Sequence, residues 1–280
     1  QVRLIDTSCP IGVFDSGVGG LSVLRALRAE LPQEQFVYVA DSGHAPYGER
    51  NDEHVIARTH AIALHLLERH RIKALVVACN TATAAAIRLL RDTHPGLPII
   101  GIEPALKPAA QTSKTGVIGV MATRGTLNSE KFRALLQSLH GKATFVLQPC
   151  DGLANAIECD DAMKIEALCA DYTGAMGQFG LNSGQMDTLV LGCTHYPFAT
   201  PQLRAHVGPD IPFLEGGAPV ARQTRRLLAE IHGLFTEPAL AHCPRDPMLM
   251  LCTTGDPGAL RMALERWLDL RVEVSQVAIP

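Results

Sequence analysis

The sequence predicts an α/β fold of two pseudo-symmetric α/β lobes with mainly parallel sheets and an active site in the cleft between them. Short apolar runs alternate with segments of helical periodicity along the chain, which is the pattern of βαβ units. The alternation forms two series, and the runs LVVAC and LVLGC end at Cys79 and Cys193, at equivalent places in the two series. We therefore interpret the lobes as copies of one duplicated unit.

The first series contains three strand and helix pairs. In chain order they are IGVF with LSVLRALRAEL, FVYVA with a long helix ending near His70, and ALVVAC with TAAAIRLLRDT. Apolar residues recur along one face of the first of these helices, at Leu21, Leu24, Leu27 and Leu31. We expect that face to be buried.

The second series is followed by a tail that we expect to return to the first lobe. The series runs through PIIGIE, TGVIGVM, the helix SEKFRALLQSLH, ATFVLQ, a helix near residues 161–179, and DTLVLGC. After IPFLEGG the tail contains the helix PVARQTRRLLAEIH, a polar loop, the strand PMLMLCTTG, the helix PGALRMALERWL and the strand VEVSQVAI. The predicted lobes are residues 1–102 plus 216–280, carrying Asp15 and Cys79, and residues 103–215, carrying Thr123 and Cys193.

The composition restricts the classes of function. With 25 Lys and Arg against 28 Asp and Glu, the formal net charge is −3, and no basic block would follow a phosphate backbone, so nucleic acid is not expected as a partner. No apolar run approaches the roughly 18 residues of a membrane span, so we expect no membrane association and a cytoplasmic protein. The eight cysteines are scattered without CxxC pairs, so we expect reduced thiols.

Several chemically active side chains follow predicted strands directly. In open parallel sheets, ligands bind beyond the carboxyl ends of the strands. The residues at these ends are Asp15, Ser16, Asp41, Cys79, Thr123 and Cys193. A single cysteine there is ordinarily a small core residue, but two in matched positions, each followed by hydrophilic residues, indicate a function.

The segment DSGVGG, residues 15–20, predicts a tight turn between a strand and a helix. Its glycines do not have the GxGxxG spacing of dinucleotide-binding loops. We expect the turn to present the Asp15 carboxylate, the Ser16 hydroxyl and free backbone N–H groups to a ligand. Asn80, Thr81 and Thr194 are expected to act similarly, as capping residues of the helices that follow.

Two further segments add candidates. Cys193 and His195 could be two metal ligands, but a catalytic zinc site needs at least one more ligand, and the sequence nominates none. His195 is instead expected to be a proton partner that lowers the pKa of the thiol. Pro46, Tyr47 and Gly48 form a turn that either clasps a ligand or is a plain surface loop.

Two opposed thiols without a metal suit the inversion of a carbon centre. One thiolate removes a proton from one face of the carbon while a thiol on the other face supplies a new one. Their roles exchange when the reaction runs backwards. A disulfide oxidoreductase also uses two cysteines, but an equivalent pair on two lobes fits a symmetrical proton exchange better.

The sequence resembles the glutamate racemases of the aspartate/glutamate racemase superfamily over about residues 11–220. The motifs that carry the resemblance are FDSGVGGLSVL, ADSGHAPYGER, VVACNTATAA, GIEPALKPA, GVMATRGT and LVLGCTHYPF. The resemblance implies an isomerase that needs no cofactor, neither pyridoxal phosphate nor metal. It would interconvert L- and D-glutamate and supply D-glutamate for peptidoglycan and thus for cell wall biogenesis and cell shape.

The resemblance also implies roles for individual residues. Cys79 resembles the base for D-glutamate and Cys193 the base for L-glutamate, with Asp15 and His195 as their polar assistants. Asp41 resembles an acid that acts from behind the substrate contacts, and Glu158 a glutamate near the second thiol. The residues expected to bind the substrate are Asp15, Ser16, Pro46, Tyr47, Gly48, Asn80, Thr81, Thr123, Thr126 and Thr194.

Other features leave alternatives open. The sequence departs from the family pattern at Glu215 and Gly216, at the expected junction of the lobes. ATRGT and CTTGDPGA resemble a gammaproteobacterial subgroup in which a peptidoglycan precursor acts as an activator, and a homodimer is compatible with the resemblance. The competing functions are racemisation of another acidic amino acid such as aspartate, and a two-lobed protein that binds an acid without turnover.

Overall fold

The computed structural model describes residues 5–236 and 248–280, which form ten strands and eleven α-helices. The strands are β1 (Ile11–Asp15), β2 (Phe36–Ala40), β3 (Ala74–Val77), β4 (Ile99–Ile100), β5 (Val117–Ala122), β6 (Thr144–Pro149), β7 (Thr188–Leu191), β8 (Phe213–Leu214), β9 (Leu249–Thr253) and β10 (Val274–Gln276). The helices are α1 (Leu21–Glu30), α2 (Asp52–His70), α3 (Asn80–Thr93), α4 (Leu106–Thr112), α5 (Arg124–Leu127), α6 (Glu130–Ser138), α7 (Leu153–Glu158), α8 (Ala162–Met176), α9 (Thr200–Val207), α10 (Gly217–Glu230) and α11 (Pro257–Leu268). Two short 3-10 helices span Ser42–His44 and Tyr196–Ala199.

The strands form two separate sheets. One has six strands in the order β10-β9-β2-β1-β3-β4, and the other has four in the order β6-β5-β7-β8. Every pairing within the two sheets is parallel. The predicted fold class, two α/β lobes with mainly parallel sheets, is confirmed.

The six-stranded sheet is covered on both faces, which explains why its central strands are continuous apolar runs. Helices α1, α10 and α11 pack on one face, against side chains such as Ile11 and Val13 of β1. Helices α2 and α3 pack on the other face, against Phe14. The four leucines predicted to line the buried face of α1 are all in the core, so that prediction is confirmed.

The four-stranded sheet is arranged in the same way. Helices α7, α8 and α9 cover one face, and α4 and α6 cover the other. The last two strands of the chain do not join this sheet, since β9 pairs with β2 and β10 pairs with β9, as expected for a tail that returns to the first lobe. The prediction that PIIGIE begins the second series is wrong for its strand, because β4 pairs with β3. Most of the polar loop predicted before β9 lies outside the described residues.

The two sheets present their carboxyl ends to one cavity. Asp15 is the last residue of β1, and Cys79 lies two residues beyond β3. In the other sheet, Thr123 follows β5 directly and Cys193 lies two residues beyond β7. Within residues 5–236 and 248–280, no helix combines the length and apolar character needed to cross a lipid bilayer.

Candidate active site

A cavity of about 570 Å³, including its opening to solvent, lies between the carboxyl ends of the two sheets. Most of the residues predicted from the sequence line it: Asp15, Ser16, Pro46, Tyr47, Gly48, Cys79, Asn80, Thr81, Thr123, Glu158, Cys193, Thr194 and His195. Asp41 and Thr126 do not.

Cys79 is buried at the start of α3. It is the N-cap residue of that helix, and its sulfur accepts a hydrogen bond from the N–H of Ala82 at 3.3 Å. Burial, together with the nearby charge of Asp15, raises the pKa of the Cys79 thiol well above its ordinary value. The prediction that Asn80 and Thr81 cap this helix is wrong, because the thiol occupies the capping position and both residues lie inside the first turn.

The two carboxylate oxygens of Asp15 differ in their hydrogen bonding. Its Oδ2 accepts from the N–H of Gly20 at 2.8 Å and of Gly17 at 3.3 Å. Its Oδ1 is buried and has no hydrogen-bond partner within the part of the chain that the structure describes. Burial raises the pKa of this carboxyl to about 6, although the neighbouring His195 opposes the shift.

Cys193, His195 and Glu158 form a connected group on the opposite side. The sulfur of Cys193 lies 3.8 Å from Nδ1 of His195, and Nε2 of His195 lies 2.7 Å from Oε2 of Glu158. Since a carboxylate only accepts, Nε2 carries a proton and Nδ1 faces the thiol. Burial alone would lower the pKa of His195, but the hydrogen bonds to Cys193 and Glu158 raise it well above its ordinary value.

The glycines of the DSGVGG turn allow Glu158 and His195 to come close. A Cβ atom at Gly17 would lie 2.2 Å from Oε2 of Glu158, and one at Gly19 would lie 2.3 Å from Nδ1 of His195. The N–H of Val18 donates to Oε2 of Glu158 at 2.8 Å. The N–H groups of Gly17 and Gly20 donate to Asp15. The expectation that the turn presents free backbone N–H groups to a ligand is therefore wrong for Gly17, Val18 and Gly20.

Asp41 supports the cavity from behind. Its carboxylate accepts from the hydroxyl of Tyr47, from Arg58 at 2.9 and 3.0 Å, and from Thr254 at 2.7 Å. Tyr47 and its neighbours Pro46 and Gly48 line the cavity. The turn is thus part of the site wall, held in place by a buried ion pair, and is not a plain surface loop.

Thr81 and Thr123 join the two halves on another side of the cavity. Their hydroxyls share a hydrogen bond of 2.8 Å. The Thr123 oxygen caps α5 and also donates to the hydroxyl of Thr126 at 3.1 Å. Thr126 therefore lies behind Thr123, which explains why it does not reach the cavity.

The sequence analysis missed part of the wall after β6. Cys150, Asp151 and Asn155 line the cavity together with Gly152 and Ala154. The signal was present, because Cys150 follows the run ATFVLQ after a single proline, and the carboxyl end of a parallel strand is where ligands bind. Cys150 is buried, and burial raises the pKa of its thiol above the ordinary value.

The described residues contain no group of three or more His, Cys, Asp or Glu side chains placed to hold a metal ion. The cysteines within residues 5–236 and 248–280 are all free, and Cys243 lies outside these ranges. The donors around the two thiols are instead hydroxyls, amides and carboxylates. This arrangement can move protons and bind a small polar acid.

Comparison with known proteins assigns the chain to a family. The family model described as Asp/Glu/Hydantoin racemase matches residues 11–224. The chain belongs to the aspartate/glutamate/hydantoin racemase family. The resemblance found in the sequence is thereby confirmed.

Within the family, the similar relatives and solved structures are glutamate racemases. The chain is 47% identical over 251 residues to a protein of Stutzerimonas stutzeri named glutamate racemase, covering 88% of this chain and 93% of the relative. A glutamate racemase structure from Bacillus anthracis is 31% identical with a TM-score of 0.82, covering 98% of this chain and 99% of that chain. The Escherichia coli enzyme in complex with L-glutamate and the activator UDP-MurNAc-Ala is 27% identical with a TM-score of 0.78, covering 97% of this chain and 99% of that one.

We expect Asp15→Asn to stabilise this family member at high pH. The pKa of Asp15 is higher in the folded protein, about 6, than its ordinary value of 3.8, so the stability that protonation gives is fully present below about pH 4 and is lost as the pH rises through about 6. At pH 8 the neutral amide should raise the free energy of unfolding by up to about 3 kcal/mol. Denaturant unfolding measures this difference, which should vanish near pH 4.

A matched control for this prediction is Asp210→Asn, which changes an exposed carboxylate. It should leave the difference between pH 4 and pH 8 unchanged. A stability gain for Asp15→Asn that is equal at both pH values would contradict the explanation by a buried charge.

Proposed function

We propose that this protein interconverts L- and D-glutamate by direct proton exchange at Cα, without a cofactor. The observation that carries the proposal is that two thiols, Cys79 and Cys193, reach one cavity from the carboxyl ends of two different sheets. Each thiol has a different titratable group beside it, Asp15 and His195 respectively. Membership in the racemase family and relatives named glutamate racemase support glutamate as the substrate.

In the direction from L- to D-glutamate, the Cys193 thiolate removes the α-proton and the Cys79 thiol donates a proton to the opposite face. His195, whose pKa is raised, stabilises the thiolate as a protonated imidazole. The raised pKa of Cys79 keeps that thiol protonated and ready to donate. In the reverse direction, Cys79 is the base, Asp15 assists it and Cys193 is the acid.

The polar wall of the cavity binds the substrate. The buried, unpartnered Oδ1 of Asp15 is free to accept a hydrogen bond from the substrate ammonium. Neutral donors suited to carboxylates are supplied by Ser16, Asn80, Thr81, Thr123 and Thr194, and Pro46, Tyr47 and Gly48 close the wall. Asp41 and Thr126 contribute by holding Tyr47 and Thr123 in position.

The wider setting follows from this chemistry. D-glutamate is supplied for peptidoglycan, and a peptidoglycan precursor acts as an activator, which is supported by the complex of the related Escherichia coli enzyme. The mechanism needs free thiols, and the described cysteines are free, so we assign the protein to a reducing compartment, the cytoplasm. The lobes comprise residues 1–102 plus 216–280 and residues 103–215, in keeping with the strands that each sheet contains.

We expect racemisation without any added cofactor. After exhaustive chelation and dialysis, the protein incubated with L-glutamate in D₂O should give D-glutamate that carries deuterium at Cα, because the incoming proton comes from a solvent-exchanged thiol. Mass spectrometry and circular dichroism measure this. Activity that is lost on chelation and returns with zinc, or turnover of aspartate in place of glutamate, would contradict the proposal.

The two thiols are expected to serve opposite enantiomers. Cys79→Ser and Cys193→Ser should each lower racemisation by about 10²–10⁴-fold, the usual contribution of a general acid or base. On a glutamate analogue with a leaving group on Cβ, removal of the α-proton is enough for elimination. Cys79→Ser should therefore still eliminate from the L-enantiomer, and Cys193→Ser from the D-enantiomer. Equal losses for both enantiomers in each variant would rule out one thiol per face.

We also expect glutamate to protect both halves of the protein. Because the cavity lies between the two sheets, saturating glutamate should slow backbone hydrogen exchange at the start of α3, after Cys79, and in Tyr196–Ala199, after Cys193. Mass spectrometry of peptides from both regions measures this. Slower exchange in only one of them would argue against a shared site.

A further inference from the structure

Ser42 contacts Glu158, one of the residues grouped around Cys193, from outside the cavity. It is the first residue of the 3-10 helix that follows β2, and it does not line the cavity. Its hydroxyl donates a hydrogen bond to Oε1 of Glu158 at 2.8 Å. Glu158 ends α7, in the half built on the four-stranded sheet, so this hydrogen bond passes from one half of the protein to the other.

The backbone around Ser42 is fixed on both sides. The N–H of Asp41 donates to the carbonyl of Asp15 at 3.0 Å, and the N–H of Gly43 donates to the hydroxyl of Thr254 at 3.1 Å. A Cβ atom on Gly255 would lie only 2.9 Å from Cβ of Ser42. The first sheet and the segment after β9 therefore hold the Ser42 hydroxyl against Glu158.

Glu158 links Ser42 to His195, which lies beside Cys193. Its Oε2 accepts from His195 and Val18, whereas Oε1 accepts from Ser42 alone among the described residues. The Glu158 side chain is only 14% exposed, so an Oε1 without a donor would be costly. Without Ser42 the carboxylate is free to rotate towards another donor, and the alignment of His195 with the Cys193 sulfur is then lost.

We propose that Ser42 is a positioning residue for the Cys193 face, holding Glu158 so that His195 stays aligned with the thiol. The inference rests on the proposed function, because it assigns an effect to one of the two bases. The chain of hydrogen bonds from Ser42 through Glu158 and His195 ends at Cys193. Cys79 is held separately, by the N–H of Ala82.

The test compares elimination from the two enantiomers of the analogue with a leaving group on Cβ, using the same full-length protein sample for both. Ser42→Ala should lower elimination from the L-enantiomer about tenfold, the size expected for one hydrogen bond to a charged group. Elimination from the D-enantiomer should stay near the wild-type rate, and Ser42→Thr should restore the L-rate. Ser138→Ala, which removes a partly buried hydroxyl bound to the Leu135 carbonyl, should change neither.

The ratio of the two rates separates positioning from folding, because partial unfolding lowers both equally. An equal loss for both enantiomers, or no loss at all, would overturn the inference.

A second test uses the Glu158→Gln variant as the background. There, Ser42→Ala should lower elimination from the L-enantiomer hardly any further, since the two residues act through one path. A fully additive loss would also overturn the inference. A wild-type protein that neither eliminates nor racemises would overturn the proposed function together with the inference, whereas an active wild type with an unchanged ratio in Ser42→Ala would overturn the inference alone.

Discussion

The carboxylate of Glu158 connects the two halves of the protein at the cavity. It binds His195 of its own half and reaches Val18 and Ser42 of the other. This arrangement is possible only because the facing turn lacks side chains at Gly17 and Gly19, where a Cβ atom would overlap Glu158 or His195. The glycines of this turn, which lack the spacing of a dinucleotide-binding loop, let a carboxylate and an imidazole approach the backbone.

The two thiols lie in chemically different surroundings although the strand orders β2-β1-β3-β4 and β6-β5-β7-β8 correspond. The Cys79 sulfur accepts a hydrogen bond from a backbone N–H, and it lies near a carboxyl whose pKa is raised to about 6 by burial. Cys193 lies beside an imidazole whose pKa is raised, against the effect of burial, by its hydrogen bonds to Cys193 and Glu158. The two sheets thus place the thiols at matching positions, each two residues beyond a strand, and the side chains around each position supply different electrostatics. This difference suits two enantiomers that present opposite faces of the same carbon.

The sequence predicts the sheets and both thiols because their signals are local. Continuous apolar runs identify buried parallel strands, and the residue that follows each run lies at the functional edge. The family resemblance implies that Asp41 lies behind the substrate contacts, where its carboxylate binds Arg58. The withdrawal of Thr126 from the cavity could not be predicted, because it depends on the hydrogen bond between its hydroxyl and that of Thr123. The capping sulfur of Cys79 was missed because thiols are uncommon at that position, and Ser42 because its only distinguishing contact is with a residue more than a hundred positions away.

The path of the chain limits how the cavity can open. The chain leaves the six-stranded sheet after β4, builds the four-stranded sheet, and returns through α10 to add β9 beside β2. Two covalent connections therefore join the halves, one after β4 and one before α10. Two connections allow one half to rotate relative to the other about the axis through both connections. They resist translation of one half along the other and rotation about other axes. The two connections therefore restrict how far Cys79 and Cys193, which line one cavity, can shift relative to each other.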